Sequence, residues 1–579
     1  MYKPTSSIVL LFLLVGSFMV NSPGQANERP NILFISVDDL NDWIGCLGGH
    51  PQARTPNFDR LAKSSLLFTN AHCPAPACNP SRTAVLTGLA PNESGLYSNR
   101  QKMREILPRA ELMPRYFSRY GYWSAGSGKI LHYFIDAPSW NEYFPQKESE
   151  NPFPRTLYPK KRPVSLPRGG PWQYVETDWG PLDATDAEFG GDYLVSDWIG
   201  KQLRRKHDQP FFLACGIYRP HEPWFVPRKY FDRFPLTEIQ LPPGYKADDL
   251  DDLPPAGRRR GPNRYFAHIR KNKQWKKAIQ GYLASISFAD EMLGRVLDAL
   301  EQGPHAKNTI VVLWSDHGWH LGEKQHWQKY SAWRACTRVP LMIKVPKGTP
   351  GLPKGTLAGA NCHQPVNLVS LFATLTELTG VPQNPETQAP SLVSLLRDPS
   401  ASWEHPSITY LAEKGSVGIS FKRYRLIHYA NGDEEFYDIQ RDPFEWNNLL
   451  AGSMNDSVKQ RLAACQKHIP SDFAEYVKPS VDSLVKLKWT ASKSLEEIPS
   501  SKPDGQPFDC YFINKSASGR KLYWMDRSGG KKYYATIKTG ETQRQSTRPG
   551  AIWMIADLAD RPLGYFAVDD RSAKGEITE

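Results

Sequence analysis

Acidic side chains follow directly after two apolar segments of the sequence, Asn31–Val37 and Thr309–Trp314. Continuous apolar runs of this length predict buried strands, and open parallel sheets bind ligands beyond the carboxyl ends of their strands. Three carboxylates at one place repel one another unless a cation lies between them, and an oxygen-rich set favours Ca²⁺ or Mg²⁺ over zinc. The alternative is that each aspartate only caps a helix. The candidate metal ligands at these strand ends are Asp38, Asp39, Asp316 and His317.

A second group of reactive residues is the segment Cys78-Asn79-Pro80-Ser81-Arg82. Its Pro-Ser pair predicts a helix that begins at Ser81 and continues to Leu86. Cys78 then precedes the positive end of this helix, where an anion or an ionised nucleophile is stabilised. Arg82 follows one turn later on the same face and can bind an oxyanion through its guanidinium group. The segment therefore indicates a nucleophilic site, and the alternative is a buried structural thiol.

Strands and helices alternate along most of the chain. A third buried strand is predicted at Pro210–Ile217, where it ends at the polar segment Tyr218–Glu222. The longest predicted helix, Ala278–Gln302, carries apolar residues at helical spacing. This alternation predicts an α/β fold with a mainly parallel sheet and helices on both faces. Shorter helices are predicted at Asn57–Ser64, Ser81–Leu86 and Leu112–Tyr120.

The composition excludes a disordered protein and a small disulfide-stapled one. Of 579 residues, 40% are hydrophobic and 23% are charged, which is enough apolar material for a large core. The eight cysteines are scattered without a Cys-x-x-Cys pair, so a zinc or redox site has little support. The 72 Lys and Arg against 60 Asp and Glu give a net charge of +12, which favours anionic partners, whether nucleic acid, acidic lipid or a sulfated or phosphorylated substrate.

The amino terminus has the pattern of a secretory signal peptide. Lys3 precedes an apolar run, Ile8–Val20, and small residues follow at Gly24 and Ala26. The run is too short to span a bilayer comfortably, and no later segment approaches the roughly 18 apolar residues that a span requires. We therefore expect residues 1–26 to be removed and the mature protein to be secreted or periplasmic. The alternative is an uncleaved anchor.

Composition divides the mature chain into a large catalytic unit and smaller carboxyl-terminal parts. Residues 27–390 contain the candidate site residues and form the predicted α/β domain. Residues 391–495 predict a smaller α+β subdomain. Residues 496–507 are rich in Ser, Lys and Pro, which predicts a linker. Residues 508–570 alternate short strands with turns, which predicts an appended all-β sandwich domain.

The Cys78–Arg82 segment, followed by Thr87-Gly88, resembles the signature of the type I sulfatases, a family of the alkaline phosphatase superfamily. The resemblance covers roughly residues 28 to 450 and implies the alkaline-phosphatase-like fold. Within the family, the segment Trp327–Pro340 is most similar to the iduronate-2-sulfatase branch. Other family motifs occur in the expected order at Asn31–Leu40, Gly128–His132, Arg219–Trp224, Ser315–Gly318, Leu321–Glu323 and Glu435–Asp438.

The resemblance implies that Cys78 is oxidised after synthesis to Cα-formylglycine. A formylglycine-generating enzyme or an anaerobic maturase would read the segment Cys78–Arg82 and carry out this conversion. The aldehyde hydrates to a gem-diol, one hydroxyl attacks the sulfur of the substrate, and the alcohol leaves. The second hydroxyl then expels sulfate and regenerates the aldehyde, an exit that a serine sulfate ester does not have.

The resemblance also implies one Ca²⁺ per chain, held by Cys78 as formylglycine together with the four strand-end residues. Many members of the family have Asn where His317 stands, whereas the iduronate-2-sulfatase branch has His. Arg334 departs from the family because many members carry an acidic residue at this position. If that position shapes access to the site, we expect an altered substrate specificity.

The implied catalytic residues surround the sulfate group with positive charge and proton donors. Arg82 and Lys129 would stabilise the diol and its charge. His132 would accept the diol proton when sulfate is expelled. His221 and Lys329 would hold the sulfate oxygens and protonate the leaving alcohol. Taken without their motifs, these lysines and histidines are ordinary surface or packed residues.

The carboxyl-terminal segment is similar to the β domain of the von Hippel–Lindau protein. The similarity rests on Asn514-Lys515-Ser516, Leu522–Asp526, Gly540-Glu541 and Ile552-Trp553. In that domain a histidine two residues before the tryptophan reads hydroxyproline, and Ala551 stands there in this sequence. We therefore expect a different role, either docking to another protein or a glycan, or packing on the catalytic domain. The alternative is a purely structural appendage.

The function that the resemblance to the sulfatases implies is hydrolysis of sulfate esters of sulfated carbohydrate by an exported enzyme. One alternative is a phosphodiesterase or phosphonate hydrolase that uses the same formylglycine. Another is a non-catalytic binder of anionic glycans, which would suit the basic charge but requires neither Cys78 nor three strand-end aspartates. Beyond the substrate, we expect the maturation enzyme as a partner, and neither nucleic acid nor a membrane span.

Overall fold

The computed structural model describes residues 29–146, 151–159, 177–476, 480–503, 508–569 and 571–578. The predicted signal peptide, residues 1–26, lies outside these ranges. Within them, no helix is long and apolar enough to cross a membrane. All eight cysteines are described, and each of them is a free thiol.

An eight-stranded, mainly parallel sheet forms the centre of the catalytic region. Asn31–Val37 lies inside it and pairs in parallel with Phe211–Ile217 on one side and Thr309–Ser315 on the other. In this sheet Leu341–Lys344 runs against both of its neighbours. The three strands predicted from apolar runs are therefore adjacent, and their carboxyl ends lie side by side. In spatial order the strands are Asn361–Cys362, Leu66–Phe68, Leu341–Lys344, Thr309–Ser315, Asn31–Val37, Phe211–Ile217, Trp123–Gly128 and Glu142–Phe144.

Helices cover both faces of this sheet, as the alternation of strands and helices predicts. Successive residues of the central strand enter two different apolar clusters, with Leu33 and Ile35 in one and Ile32 and Phe34 in the other. Because both faces are buried, the strand is apolar throughout rather than alternating. The predicted α/β fold class is confirmed. The helices are Pro56–Lys63, Cys78–Thr87, Pro91–Ser94, Met103–Ile106, Met113–Arg119, Asp186–Phe189, Asp192–Arg204, Arg228–Phe231, Pro255–Arg258, Arg264–Lys271, Trp275–Glu301, Arg334–Thr337, Leu371–Thr379, Val393–Arg397 and Asp456–Gln466.

A four-stranded antiparallel sheet follows the catalytic sheet and packs against the helix Asp456–Gln466. It also braces the segment that leads into Cys78. The hydroxyl of Thr409 donates a hydrogen bond to the carbonyl of Cys73 at 2.6 Å, and the Tyr410 amide donates to the carbonyl of Pro74 at 2.8 Å. Its strands are Ser407–Tyr410, Val417–Phe421, Tyr424–His428 and Glu434–Asp438.

Short two-stranded pairs shape the loops above the central sheet. Because each pair lies within a few residues of a candidate site residue, these loops are held by main-chain hydrogen bonds rather than left open. The pairs are Ala71–His72 with Val366–Asn367, Trp179–Leu182 with Trp224–Pro227, and His320–Leu321 with Trp327–Gln328.

The carboxyl-terminal segment forms two facing sheets, which we call the β module. Its core contains Phe512, Trp553 and Phe566, and the ring of Phe512 contacts the rings of the other two. The first sheet has the strands Val485–Lys486, Ala573–Ile577, Phe508–Asn514 and Thr542–Thr547. The second has Trp489–Ala491, Pro562–Ala567, Ile552–Ala556, Arg520–Met525 and Lys531–Ile537.

The β module begins earlier in the chain than the predicted boundary at residue 508. Val485–Lys486 and Trp489–Ala491 already pair with strands of the two sheets. The predicted linker, residues 496–507, is also packed where it is described, because Ile498 and Ser501 are buried and the Ile552 amide donates to the Ser501 hydroxyl at 2.8 Å. The described residues of this segment, 496–503, are therefore irregular but packed against the β module rather than a free linker.

Candidate active site

The strand-end residues meet at one place, as the sequence predicts. The Asp39 amide donates to Asp316 Oδ1 at 3.1 Å, and His317 Nε2 lies 3.3 Å from Asp39 Oδ1. Asp38 and Asp39 follow Asn31–Val37, and Asp316 and His317 follow the neighbouring strand. All four side chains are almost completely buried.

Asp39 has a positive φ of 56°, which is uncommon for a residue other than glycine. The Tyr282 hydroxyl donates to the carbonyl of Asp39 at 2.8 Å and accepts from the Asn41 amide at 3.0 Å, so the turn is fixed from the long helix Trp275–Glu301. Such backbone conformations persist where surrounding contacts impose them, commonly at functional sites.

Cys78 is the first residue of the helix Cys78–Thr87 and points into the cluster of carboxylates. The predicted helix, Ser81–Leu86, was too short at its start, because proline fits the first turn of a helix without needing a hydrogen-bonded N–H. Cys78 Sγ lies 3.3 Å from His317 Nε2 and 3.9 Å from Asp39 Oδ1. The thiol of this buried residue therefore reaches the strand ends directly.

The guanidinium group of Arg82 binds two of the strand-end carboxylates. Its Nε donates to Asp316 Oδ2 and its Nη2 to Asp38 Oδ1, both at 2.8 Å. Its Nη1 donates to the main-chain carbonyl of Lys129 at 2.6 Å. Arg82 therefore links two strand ends to the Lys129 segment, and its predicted role at an oxyanion stays a prediction.

Two lysines bring further positive charge to Cys78. Lys329 Nζ lies 3.0 Å from Cys78 Sγ and 2.9 Å from Asp39 Oδ1. Lys129 Nζ lies 3.7 Å from Cys78 Sγ and forms an ion pair with Asp38. Burial alone would raise the pKa of the Cys78 thiol, but the nearby Lys129 and Lys329 ammonium groups hold it well below its ordinary value. The site therefore stabilises negative charge at position 78.

The residues at the strand ends fit a hard divalent cation. One potential ligand atom from each of Asp39, Cys78, Asp316 and His317 lies within 4.8 Å of the others. Among the described residues, no hydrogen-bond donor reaches the buried Asp39 Oδ2 atom. His317 Nδ1 is 3.0 Å from the carbonyl of Gly318, so Nε2 is the ring atom that faces the carboxylates. Burial raises the pKa of Asp316 to about 7, a shift that a bound cation would oppose.

The pKa values of the two candidate histidines are shifted in opposite directions. Burial lowers the pKa of His132, against the effect of a hydrogen bond to Cys78, so its imidazole is neutral near pH 7. Burial also disfavours the charged form of His221, but the Asp39 carboxylate, 3.6 Å from His221 Nε2, raises its pKa above the ordinary value. These shifts favour a neutral His132, which can accept a proton, and a protonated His221, which can donate one.

Several residues of the site carry no sequence signal that we used. Tyr133 and Tyr218 place their rings 4.7 Å and 5.4 Å from Lys129 Nζ. The buried Asp192 accepts hydrogen bonds from the amides of Tyr218 and Arg219, at 2.7 Å and 2.9 Å, and so holds the loop that carries His221. Two positions could have indicated this place, because Tyr133 directly follows His132 and Tyr218 begins the polar segment after a predicted strand.

A cavity of about 1040 Å³ adjoins this cluster. Tyr133 and Tyr218 line it, and the same residues contact His221, at 3.5 Å between the Tyr133 hydroxyl and His221 Nε2 and by ring stacking at 4.8 Å for Tyr218. The two tyrosines therefore line the cavity and also contact the charged cluster, so the cavity and the cluster are adjacent. A cavity of this size can hold a ligand of one or more sugar rings.

Arg334 does not contact the candidate site. Its guanidinium donates to the carbonyl of Pro443 at 2.5 Å, and its amide donates to Glu445 Oε2 at 2.7 Å. Both partners follow the small antiparallel sheet. The substitution of Arg for an acidic residue therefore changes packing between two parts of the chain, and the predicted effect on substrate access has no contact in the described residues to support it.

Comparison with known proteins shows that this chain is similar to sulfatases. The sulfatase family model matches residues 30–381, and the model for the carboxyl-terminal part of N-sulphoglucosamine sulphohydrolase matches residues 322–469. A sulfatase of Formosa agariphila is 39% identical over 80% of this chain and 92% of its own length. The iduronate 2-sulfatase of Homo sapiens is 32% identical over 68% of this chain and 77% of its own length.

Solved structures share the fold at lower identity. A protein solved in complex with its substrate D-glucosamine-2-N,6-O-disulfate is 22% identical and has a TM-score of 0.59, covering 76% of this chain and 97% of its own. The phosphonate monoester hydrolase of Agrobacterium radiobacter is 21% identical and has a TM-score of 0.58, covering 76% and 94%. At these identities the structures establish only the fold. On the family match and the more similar relatives, the chain belongs to the sulfatase family of sulfuric ester hydrolases.

Proposed function

We propose that the protein is an exported sulfatase that removes sulfate from sulfated carbohydrate, with a specificity like that of the iduronate 2-sulfatases. The observation that carries this proposal is the position of Cys78. Its Sγ lies 3.0 Å from Lys329 Nζ and 3.3 Å from His317 Nε2, at the point where three aspartates and two lysines converge. A non-catalytic glycan binder has no need of this buried arrangement.

Cys78 is proposed to act after conversion to formylglycine by a formylglycine-generating enzyme or an anaerobic maturase. As the hydrate, the residue would supply both the hydroxyl that attacks sulfur and the hydroxyl that later releases sulfate. Lys129 and Lys329 would hold the developing negative charge on either side of residue 78. Arg82 would keep Asp38 and Asp316 in place.

A single Ca²⁺ is the proposed cofactor. The residues that would hold it are Asp38, Asp39, Asp316, His317 and position 78. When bound, the cation supplies positive charge that polarises the sulfate ester and offsets the repulsion among the carboxylates. The oxygen-rich ligand set favours Ca²⁺ over zinc.

The two histidines divide the proton transfers. His132, whose pKa is lowered by burial and which forms a hydrogen bond to Cys78, would accept the diol proton when sulfate is expelled. His221, whose pKa is raised by Asp39, is suited to protonate the departing alcohol. His221 Nδ1 lies 2.6 Å from the carbonyl of Glu222, which orients Nε2 towards Asp39 and the cavity.

The alternative, phosphonate or phosphodiester hydrolysis, uses the same cluster of charges. The similarity to phosphonate monoester hydrolases is below 25% identity and reaches only the fold. The sulfatase assignment is favoured because the more similar relatives, at 32% to 39% identity, carry sulfatase names.

Two further parts of the proposal concern the chain ends. Residues 1–26 are proposed to direct export, which would make the protein secreted or periplasmic. The β module is proposed to be a von Hippel–Lindau-like sandwich. It is not expected to bind hydroxyproline, because the buried Ala551 occupies the position of the histidine that contacts hydroxyproline in that domain.

The test combines mass spectrometry with a substrate panel. The peptide that contains residue 78, from protein made in an export-competent host with its maturase, is expected to be lighter than the cysteine form by about 18 Da. The same protein should release sulfate from 4-nitrophenyl sulfate and from disaccharides with a 2-O-sulfated uronate. Unmodified cysteine in active protein would contradict the mechanism, and faster hydrolysis of phosphonate monoesters than of every sulfate ester would favour the alternative function.

A further inference from the structure

A residue of the β module reaches the cavity beside the active site. Arg548 follows the strand Thr542–Thr547 directly and lines the same cavity as Tyr133 and Tyr218. The family models end at residue 469, so Arg548 lies outside every matched family region. The appended module therefore contributes a cation to a cavity whose other described lining residues come from the catalytic region.

The turn that carries Arg548 is fixed within the module. The Ala551 amide donates to the carbonyl of Arg548 at 3.2 Å. The indole Nε1 of Trp553, a core residue of the module, donates to the hydroxyl of Thr547 at 2.8 Å. The start and the end of the turn are thus tied to the same buried strand, which limits where the Arg548 side chain can reach.

The module is in turn docked on the catalytic region. Lys102 Nζ lies 3.8 Å from Oδ1 of Asp509, whose side chain is only 3% exposed. Glu105, in the helix that begins directly after Lys102, accepts a hydrogen bond at its Oε1 from the Ser572 hydroxyl at 3.5 Å. Asp509 lies in the strand Phe508–Asn514 and Ser572 directly precedes the strand Ala573–Ile577, so two separate segments of the module contact the catalytic region.

The lining of the cavity suits a sugar with negative charge. Phe153 and the two tyrosines present aromatic faces on which a sugar ring can pack. Arg155 and Arg548 add positive charge. The acidic lining residue among the described ones, Asp192, already accepts two main-chain amides and has its pKa raised by burial to about 6. The balance of charge therefore favours an anion over a cation.

We propose that the β module completes the substrate site and that Arg548 binds an anionic group on the saccharide unit next to the sulfated one. The group is a carboxylate or a second sulfate, which an arginine guanidinium binds through paired hydrogen bonds. Arg548 is thus a specificity-determining residue for charged oligosaccharides. This inference rests on the proposed sulfatase function and names the class of substrate that the site prefers.

The test measures selectivity rather than activity alone. Arg548→Ala, Arg548→Lys and a control, Lys538→Ala, are compared with the parent on 4-nitrophenyl sulfate and on a sulfated disaccharide with a uronate neighbour. Lys538→Ala is the matched control because it also removes one positive charge from the β module, at a side chain that is 82% exposed. Carboxyl-reduced and doubly sulfated forms of the disaccharide distinguish a carboxylate from a second sulfate as the anion.

Arg548→Ala is expected to lower the ratio of kcat/KM for the disaccharide to that for 4-nitrophenyl sulfate by about 10-fold, mainly through KM, since a charged hydrogen bond contributes this much. Arg548→Lys should retain part of the selectivity because it keeps the charge but loses the planar fork. Lys538→Ala should leave the ratio within about 2-fold, as expected for an exposed charge. An unchanged ratio in Arg548→Ala, or an equal loss on a neutral disaccharide, would overturn the inference.

A binding measurement separates this inference from the proposed function. Calorimetric titration of the disaccharide into Cys78→Ala protein, with and without Arg548→Ala, requires no turnover. If the parent hydrolyses no sulfate ester but Arg548→Ala still weakens binding by about 10-fold, the proposed function fails and the anion site stands. If the parent is active and both proteins bind equally, the anion site is wrong and the proposed function is unaffected.

Discussion

The catalytic region and the β module use charge in opposite ways. At the candidate site, Arg82, Lys129 and Asp316 are completely buried, and each has a charged partner. In the module, basic side chains such as Lys538 and Arg544 remain 82% and 65% exposed, around an apolar core. Buried charges cost free energy unless they are paired, and removing one partner is strongly destabilising.

The buried charged cluster and the apolar core of the β module differ in what they contribute to the stability of the fold. The buried cluster is a poor way to stabilise a fold, because apolar residues of the same volume would do as well or better. The chemistry that we propose at residue 78 gives this cluster a role other than stability. The module is stabilised by burial of aromatic side chains, and the contribution that we propose for it comes from the turn that reaches the cavity. Changes in the two regions should therefore have separable effects.

The largest effect on activity is expected from residue 78 itself. Cys78→Ala removes the nucleophile and should reduce turnover by at least about 10⁴-fold, while the thermal unfolding midpoint stays within about 3 °C. Cys78→Ser should be nearly as inactive in multiple turnover, because serine offers no second hydroxyl to expel sulfate. Sulfate release and calorimetric unfolding measure the two quantities. Sustained turnover by the serine variant near the parental rate would remove the basis for the formylglycine mechanism.

The next effect concerns the proposed cation. Asp316→Asn keeps the volume of the side chain but removes a negative ligand, so it should lose the bound metal and reduce kcat/KM by about 10³-fold. Elemental analysis of purified protein gives the metal content, expected as one Ca²⁺ in the parent and none in the variant. Asp298→Asn, which breaks an exposed ion pair with Arg60, serves as the control. Two zinc ions per chain in the parent would point to a phosphatase-like site instead.

A smaller effect is expected from the proton donor. His221→Gln should lower kcat/KM by about 10²-fold on an alkyl sulfate, since the alcohol must be protonated as it leaves. On 4-nitrophenyl sulfate the loss should be smaller because nitrophenolate leaves without a proton. His405→Gln, an exposed histidine, is the control. Equal losses on both substrates would assign His221 to sulfate binding rather than to acid catalysis.

The sequence predicted the catalytic region well because its signals are local. The uninterrupted apolar strand Asn31–Val37 was predicted with its observed ends, and the carboxylates that follow such strands converge by the geometry of a parallel sheet. Tyr133, Tyr218 and Asp192 were missed because their importance arises only when distant loops are packed together. No local pattern marks a residue such as Asp192, whose partners are main-chain amides 26 and 27 positions away.

The β module was predicted less completely for physical reasons. The strand Thr542–Thr547 lies at the edge of its sheet and is polar throughout, so it lacks the alternation that marks a half-buried strand. The segment before Phe508 was assigned to a linker from its composition, yet Ile498 and Ser501 are buried. Composition indicates only how a segment behaves on its own. It does not reveal a tertiary contact such as the main-chain hydrogen bond that the buried Ser501 hydroxyl accepts.

The smallest effect tests this boundary directly. If residues 480–503 belong to the β module, Ser501→Ala should destabilise it by about 1 kcal/mol, because the Ile552 amide loses its acceptor in a buried position. Hydrogen exchange of the strand Ile552–Ala556 in the full chain should then become faster, while exchange of Asn31–Val37 and sulfate release stay unchanged. Ser546→Ala, on an exposed strand position, is the control. Unchanged hydrogen exchange in Ser501→Ala would indicate that residues 496–503 are a linker after all. Slower sulfate release would show that the β module and the catalytic region are coupled by contacts other than the turn at Arg548.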